Sequence, residues 1–260
     1  VKAYKMKDVA VLWDFSFFAV AIPAVIFAGI SKGGFGSGAA FAASSILALV
    51  LTPGEALGLM LPLLMLIDFA TLRPYWRKWH WPSARLLLIG GVPGVVIGAL
   101  VYRMTNDDVI RFLIGAMSLL FVIWQIARAW GVLKISSRPL PDSVGLIVGA
   151  TSGFTSFVSH AGGPPSTMYM LSLKLSKTEY QANTVFVFWI INVLKAVAYG
   201  ILGIFTLDLL LVNLALAPFA LLGAWLGVKA HNLVPEKPFY ATTYVLLVLT
   251  GTKLIFDALT

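Results

Sequence analysis

The sequence predicts an all-α polytopic membrane protein made of two inverted repeats of about five helical segments each. Three observations lead to this fold class. Hydrophobic residues make up 59% of the chain and charged residues only 12%, whereas soluble domains carry about 25% charged residues. The apolar residues form runs long enough to cross a bilayer. Finally, the chain resembles itself at a shift of 124 residues.

Ten apolar segments justify the helical part of this prediction. Open strands cannot satisfy their backbone groups in lipid, so we expect each segment to be a helix. The second and seventh segments are short, which predicts a broken or re-entrant helix near the start of each repeat. The segments span residues 9–30, 35–51, 55–72, 84–103, 109–130, 141–158, 164–175, 180–202, 206–228 and 239–258.

The internal repeat divides the chain into residues 1–133 and 134–260. Pro93 aligns with Pro218 when the shift is one residue longer, and in both places four residues separate the proline from a Gly-Ala pair. The two acidic residues of the repeat, Glu55 and Glu179, are expected to cap equivalent helices. The matches at a shift of 124 are Gly29 with Gly153, Gly38 with Gly162, Glu55 with Glu179, and Asp68 with Asn192.

The positive charges predict the orientation of the halves. Short basic loops face the cytoplasm, so the net charge of +8 indicates topology, and we expect no nucleic-acid partner. Five segments per half is an odd number, so the halves have opposite orientations, as in secondary transporters. One observation disagrees with this orientation, because it places Lys2, Lys5 and Lys7 on the outer side of the membrane. The basic loops hold Arg73, Arg77, Lys78 and Arg85 after segment three, and Arg128, Lys134 and Arg138 after segment five.

Two glycine-rich breaks at equivalent places predict a substrate site. Such runs interrupt a helix, and the N–H groups at the start of the next half-helix favour an anion. The alternative for the two breaks is a purely structural kink. Glycines outside the breaks are interpreted as positions where helices pack closely, namely Gly90, Gly94, Gly98, Gly223 and Gly227. The predicted substrate-binding residues are Lys32, Gly33, Gly34, Gly36, Ser37, Gly38, Ser159, His160, Gly162 and Gly163.

Ionisable residues inside a bilayer are costly, so they indicate function. Asp68 is interpreted as a proton carrier or a counter-ion for Lys32, or as a partner of Arg73 near the cytoplasmic end. Lys195 either belongs to the site or extends to the interface. His160 could titrate near neutral pH. The predicted coupling or counter-ion residues are Asp68, Asn192, Gln181 and Asn183, of which the last two either donate to substrate or join helices.

Signals for an enzyme are poor. The chain has three histidines and no cysteine, and no histidine has a second ligand at metal-binding spacing. We expect no metal, no cofactor and no catalytic residues.

The duplicated plan resembles the TauE/SafE family of sulfite and organosulfonate exporters, also called TSUP permeases. The resemblance spans roughly residues 25–256. It implies transport of a small sulfur oxyanion or sulfonate across the cytoplasmic (inner) membrane, coupled to protons. The motifs that carry it are Gly29-x-x-Lys32-Gly33-Gly34-Phe35-Gly36-Ser37-Gly38, Ala161-Gly162-Gly163-Pro164-Pro165, and the Pro-x-x-x-x-Gly-Ala stretches at Pro93 and Pro218.

Several functional alternatives stay open at this point. The helix breaks alone indicate an anion and not sulfur, so thiosulfate and small carboxylates fit equally well. A passive anion channel could use the same breaks as a filter. A membrane enzyme or a scaffold subunit is a third hypothesis, although large loops are absent. The expected partners are a small anionic substrate and the lipid bilayer, and a homodimer is left open.

Overall fold

The computed structural model describes residues 12–35, 39–133, 139–230 and 236–260. Within these ranges the protein is entirely helical, with no strand, so the predicted helical class is confirmed. Predictions on Lys2, Lys5, Lys7, Lys134 and Arg138 lie outside the described residues. The helices are α1 (Phe15–Ile30), α2 (Phe41–Leu47), α3 (Pro53–Leu72), α4 (Trp81–Met104), α5 (Asp107–Ala129), α6 (Asp142–Ser159), α7 (Gly163–Ser172), α8 (Lys177–Ile201), α9 (Leu207–Ala230) and α10 (Glu236–Leu259).

Seven helices of the described chain are long and apolar enough to cross a membrane. They are α1 with the turn that follows it, α3, α4, α5, α8, α9 and α10. The two predicted short segments are confirmed as α2, with 7 residues, and α7, with 10 residues. At 1.5 Å per residue neither can cross a hydrocarbon core of about 30 Å alone.

The first break differs from its prediction. The sequence predicts an interruption from Ser31 onward, but Ser31–Phe35 continues α1 as a π-helical turn, and α2 begins only at Phe41. A π turn frees backbone carbonyls from the α-helical ladder. Side chains from other helices then bond them: Gln181 Nε2 donates to the Lys32 carbonyl at 2.6 Å and Tyr240 Oη to the Phe35 carbonyl at 2.8 Å.

The starts of α3 and α8 carry the same capping box. Thr52 Oγ1 accepts from the Glu55 amide at 3.3 Å, and Glu55 Oε2 accepts from the Thr52 amide at 2.9 Å. Ser176 and Glu179 make the equivalent bonds at 3.2 and 3.0 Å. This arrangement satisfies N–H groups that a helix start leaves free. The prediction that the two acids cap the starts of their helices is confirmed.

Glycine contacts join α4 to α6 and α1 to α9. A Cβ atom added to Gly94 would lie 2.0 Å from the Ala150 carbonyl oxygen, and one added to Gly223 would lie 2.4 Å from the Ile26 oxygen. Only glycine allows backbones to approach so closely. The packing interpretation of these glycines is confirmed. Further contacts in the core join α5 to α10, α3 to α9, and α8 to both α3 and α4.

Candidate functional site

A buried ion pair lies where α3, α8 and the π turn meet. Lys32 Nζ is 2.5 Å from Asp68 Oδ1, and the side chains are 4% and 0% exposed. The second carboxylate oxygen accepts a hydrogen bond from Asn192 Nδ2 at 2.8 Å. Asp68 is therefore the counter-ion of Lys32 and not a partner of Arg73. Asp68 and Asn192, which the repeat hypothesis aligns with each other, are in direct contact.

Lys195 extends this network away from the ion pair. It is fully buried, so the interpretation that it reaches an interface is wrong. Its ammonium donates to Asn192 Oδ1 at 3.3 Å and to Ser156 Oγ at 3.2 Å, and it lies 2.7 Å from His160 Nδ1. The distance to the Tyr199 ring centroid is 5.8 Å. None of these partners is an acidic side chain.

His160 ends α6 in the left-handed conformation, with φ of 57°. This conformation is unusual for a residue other than glycine and costs about 1–2 kcal/mol. The imidazole is fixed at both nitrogens, because Nε2 lies 3.2 Å from the Leu57 carbonyl and Nδ1 contacts Lys195. A carbonyl can only accept, so the hydrogen-bond network places the proton on Nε2 and leaves Nδ1 to accept from the lysine.

A cavity of about 690 Å³ lies between α5, α7, α8 and α10 and reaches the π turn at Gly34. Three basic side chains line it, and no acidic side chain does so among the described residues. Two of them, Lys174 and Lys177, are exposed at its rim. The polar and charged lining consists of Gln125, Arg128, Thr167, Lys174, Lys177, Tyr180, Gln181, Tyr240 and Tyr244.

Residues 21–254 match the family model described as "Sulfite exporter TauE/SafE". The chain belongs to the TauE/SafE family. The matched range contains the whole buried network and every residue that lines the cavity. Neither the comparison with curated proteins nor the comparison with solved structures gave a match. The predicted resemblance is confirmed, and the family is one of transporters.

In this TauE/SafE chain three glycines of the breaks lie against other helices. A Cβ atom on Gly33 would lie 2.6 Å from the Ala224 oxygen, and one on Gly34 would lie 2.3 Å from the Gly227 oxygen. Gly162 is equally close to the Phe188 ring, at 2.5 Å. Close packing explains these three glycines, while Gly34 also borders the cavity. Gly36, Ser37 and Gly38 lie outside the described residues.

The second break offers few donors to an anion. Gly163 begins α7, but Pro164 and Pro165, which follow it, have no N–H groups. The Gly163 carbonyl accepts from the hydroxyls of Ser166 and Thr167, both at 2.8 Å. Ser159 Oγ donates within its own helix, to the Thr155 carbonyl at 2.9 Å. A substrate role for Ser159, Gly162 and Gly163 stays a prediction.

Two amides of α8 that were predicted together have different positions. Gln181 bonds the Lys32 carbonyl and also lines the cavity, so it connects the cavity with the buried network. Asn183 donates to Ser83 Oγ at 2.7 Å and accepts from the His80 amide at 2.8 Å. Asn183 therefore joins α8 to the start of α4.

Tyr75 supports the same π turn from the loop after α3. Its hydroxyl donates to the Gly33 carbonyl at 3.1 Å. Burial raises the pKa of Tyr75 to about 12, so the hydroxyl keeps its proton at physiological pH. The sequence gives no signal for this bond, because the partners are 42 residues apart.

Sequence reasoning missed the cavity. It used Arg128 only to orient the chain, although the position of this arginine at a helix end is a usable signal once the fold is known. No cluster of three or more His, Asp or Glu residues suited to a metal occurs in the described parts of the chain.

Proposed function

We propose that the protein is a secondary transporter that exports a small sulfur-containing anion, such as sulfite or sulfoacetate, across the cytoplasmic membrane. The single observation that carries this proposal is the cavity with three basic and no acidic side chains among its described lining. A recess lined by charges of one sign concentrates ions of the opposite sign. The membership of a sulfite exporter family supports sulfur as the central atom of the anion.

The substrate pathway runs from the rim of the cavity to the π turn. An anion enters past Lys174 and Lys177 and reaches Gly34 and Gln181 at the inner end. Gln181 is already bonded to the backbone of Lys32. An anion at this point competes with Asp68 for the Lys32 ammonium, so the ion pair acts as an inner gate that the substrate opens.

We further propose that the halves are inverted repeats that provide alternating access. Three features support this architecture. The two capping boxes match at the repeat shift, and Asp68 bonds its repeat partner Asn192. The first helix of each half also packs on the fourth helix of the other, α1 on α9 and α6 on α4. Exchange between two packings of equivalent halves is the mechanism that inverted-repeat transporters use.

A ligand screen followed by flux measurements tests the function. The purified protein is heated with sulfite, sulfoacetate, thiosulfate, sulfate and small carboxylates, since a ligand that binds the folded form raises its thermal stability. We expect stabilisation by a sulfur anion, and export of the same anion from proteoliposomes. Stabilisation by carboxylates alone would mean that the substrate is a carboxylate and not a sulfur anion. A wild-type protein that neither binds nor moves any of these anions would overturn the proposal.

A further inference from the structure

We propose that Lys195 and His160 together hold the proton that is transported with the anion, and that Asn192 links this proton to the Lys32–Asp68 pair. The inference rests on the proposed transport function and deepens it. Sequence reasoning offered Asp68 or His160 as the proton carrier. The geometry points to the Lys195–His160 pair instead, because Asp68 is already bound on both of its oxygens.

The first argument is the charge balance of the buried network. Lys32 and Lys195 are both basic, whereas Asp68 is the acid of this network among the described residues; it contacts Lys32 directly and is linked to Lys195 only through Asn192. Asp68 neutralises Lys32, so an ammonium at Lys195 is a second positive charge with only neutral partners. Such a charge is costly at membrane depth. Lys195 therefore keeps its additional proton only in some states of the transport cycle.

The second argument is that Lys195 has a proton acceptor in hydrogen-bond contact. The distance from its Nζ to His160 Nδ1 is 2.7 Å. Breaking one Nζ–H bond and forming an Nδ1–H bond leaves a neutral amine and an imidazolium whose Nε2–H still faces the Leu57 carbonyl. The imidazolium then gives one proton to water as the site opens. The pair carries one positive charge before this loss and none after it.

Among the titratable groups around Lys195, the pair formed by Lys195 and His160 is the one that can exchange a proton. The titratable groups that face Lys195 are Lys32 from the π turn, Asp68 from α3, His160 from the end of α6 and Tyr199 from its own helix. Lys32 and Asp68 neutralise each other. The Tyr199 hydroxyl donates to the Phe157 carbonyl at 2.6 Å, away from the lysine.

The third argument is the link through Asn192. This amide donates to Asp68 Oδ2 and accepts from Lys195 Nζ. When an anion draws Lys32 away, Asp68 loses its counter-ion, and Lys195 is the next cation along the network. Anion binding therefore favours the protonated pair, and by reciprocity the proton favours anion binding. Anion and proton move together, and the direction of net flux follows the sum of their gradients.

The test uses sulfoacetate, which stays ionised between about pH 6 and pH 8. Its apparent affinity is measured by thermal stabilisation at both pH values, and its accumulation in proteoliposomes is driven by a pH gradient. The variants are Lys195→Met and His160→Asn. Asn tolerates the left-handed conformation and can accept from Lys195 in place of Nδ1. Lys253→Met, at an exposed lysine of α10, is the matched control.

We expect wild type and Lys253→Met to bind sulfoacetate about tenfold more tightly at the lower pH and to accumulate it along the pH gradient. Both network variants should bind it equally at the two pH values and lose the pH-driven accumulation. Retained pH dependence in both variants would overturn the proposal. So would loss of anion binding at both pH values, which would assign the two residues to the anion. A wild type that exchanges no anion would instead refute the transport function.

Discussion

Asp68 is the residue on which the buried network depends. It neutralises Lys32 with one oxygen and accepts from Asn192 with the other. Removing one partner of a buried ion pair leaves an uncompensated charge, which costs far more than replacing both partners. The two single substitutions and the double substitution should therefore not be additive.

Asp68→Asn should lower the free energy of unfolding by about 3–5 kcal/mol, because Lys32 stays buried without its counter-ion. The double variant Asp68→Asn with Lys32→Met should recover most of that loss. Thermal unfolding of the purified proteins in detergent measures both effects. A double variant that is as unstable as Asp68→Asn would mean that Asp68 acts through Asn192 and not through Lys32.

The residues of this network could be predicted only in part from the sequence. A pairing of Lys32 with Asp68 was one of the interpretations that the sequence left open, because an ionisable residue at membrane depth is costly without a partner. Lys195 lies six residues from the end of α8, so its distance to an interface depends on the helix tilt and the neighbouring helices. Its contacts with Ser156 and His160 join positions 39 and 35 residues apart, and no local pattern encodes them.

At the scale of elements, the glycines of the helix contacts should tolerate no side chain. A Cβ atom on Gly94 would meet the backbone of α6, whereas one on Gly200 of α8 has nothing within 4 Å. Gly94→Ala should therefore lower the thermal stability clearly. Gly200→Ala should be neutral or stabilising by up to about 1 kcal/mol. Equal unfolding temperatures for the two variants would contradict the close contact of α4 with α6.

The two capping boxes should contribute similar amounts to stability. Thr52→Ala and Ser176→Ala each remove the side-chain oxygen that accepts from the third residue of the helix. We expect each substitution to cost about 1 kcal/mol. Ser176→Asp, which keeps an acceptor at the cap, serves as the control and should stay close to wild type. Thermal unfolding compares the three variants, and a loss confined to one helix would show that the boxes are not equivalent.

The helices were easier to predict than the turn between α1 and α2. Backbone groups in lipid require a helix, and each of the ten predicted segments contains one, of which seven in the described chain are long and apolar enough to cross a membrane. The π turn depends on donors that reach it from elsewhere, among them Gln181, which is 149 residues away from Lys32. A consecutive pair of glycines predicts a break because it has low helix propensity. These tertiary hydrogen bonds and the contact with α9 outweigh that propensity.

For the whole molecule, the charge of the cavity should control how fast anions arrive. Lys174 lies at the rim and is exposed, so its field is screened by salt over about 10 Å at 0.1 M. Lys174→Gln should raise the KM for the transported anion several-fold at low salt and change kcat little, and added salt should reduce the difference from wild type. Lys253→Gln is the control. Flux measured against anion concentration at two salt concentrations gives both constants.

The opposite result for Lys174 would be informative. An unchanged KM at low salt would mean that substrate does not approach through this cavity, and the entry route would have to lie elsewhere. The cavity itself could not be predicted from the sequence, because its basic residues come from α5, the end of α7 and the start of α8. Only the fold brings these helix ends together.

The contact of α1 with α9 also constrains how the chain is made. Gly29 near the end of α1 packs on Gly223 of α9, and about three-quarters of the chain is synthesised between these two residues. While the ribosome completes the intervening helices, the glycine face of α1 and the adjoining Lys32 have no protein cover from α9. The nascent chain must therefore keep α1 in the bilayer, or beside the insertion machinery, until its partner emerges. The packing of α1 on α9 is therefore a late event that follows insertion into the membrane.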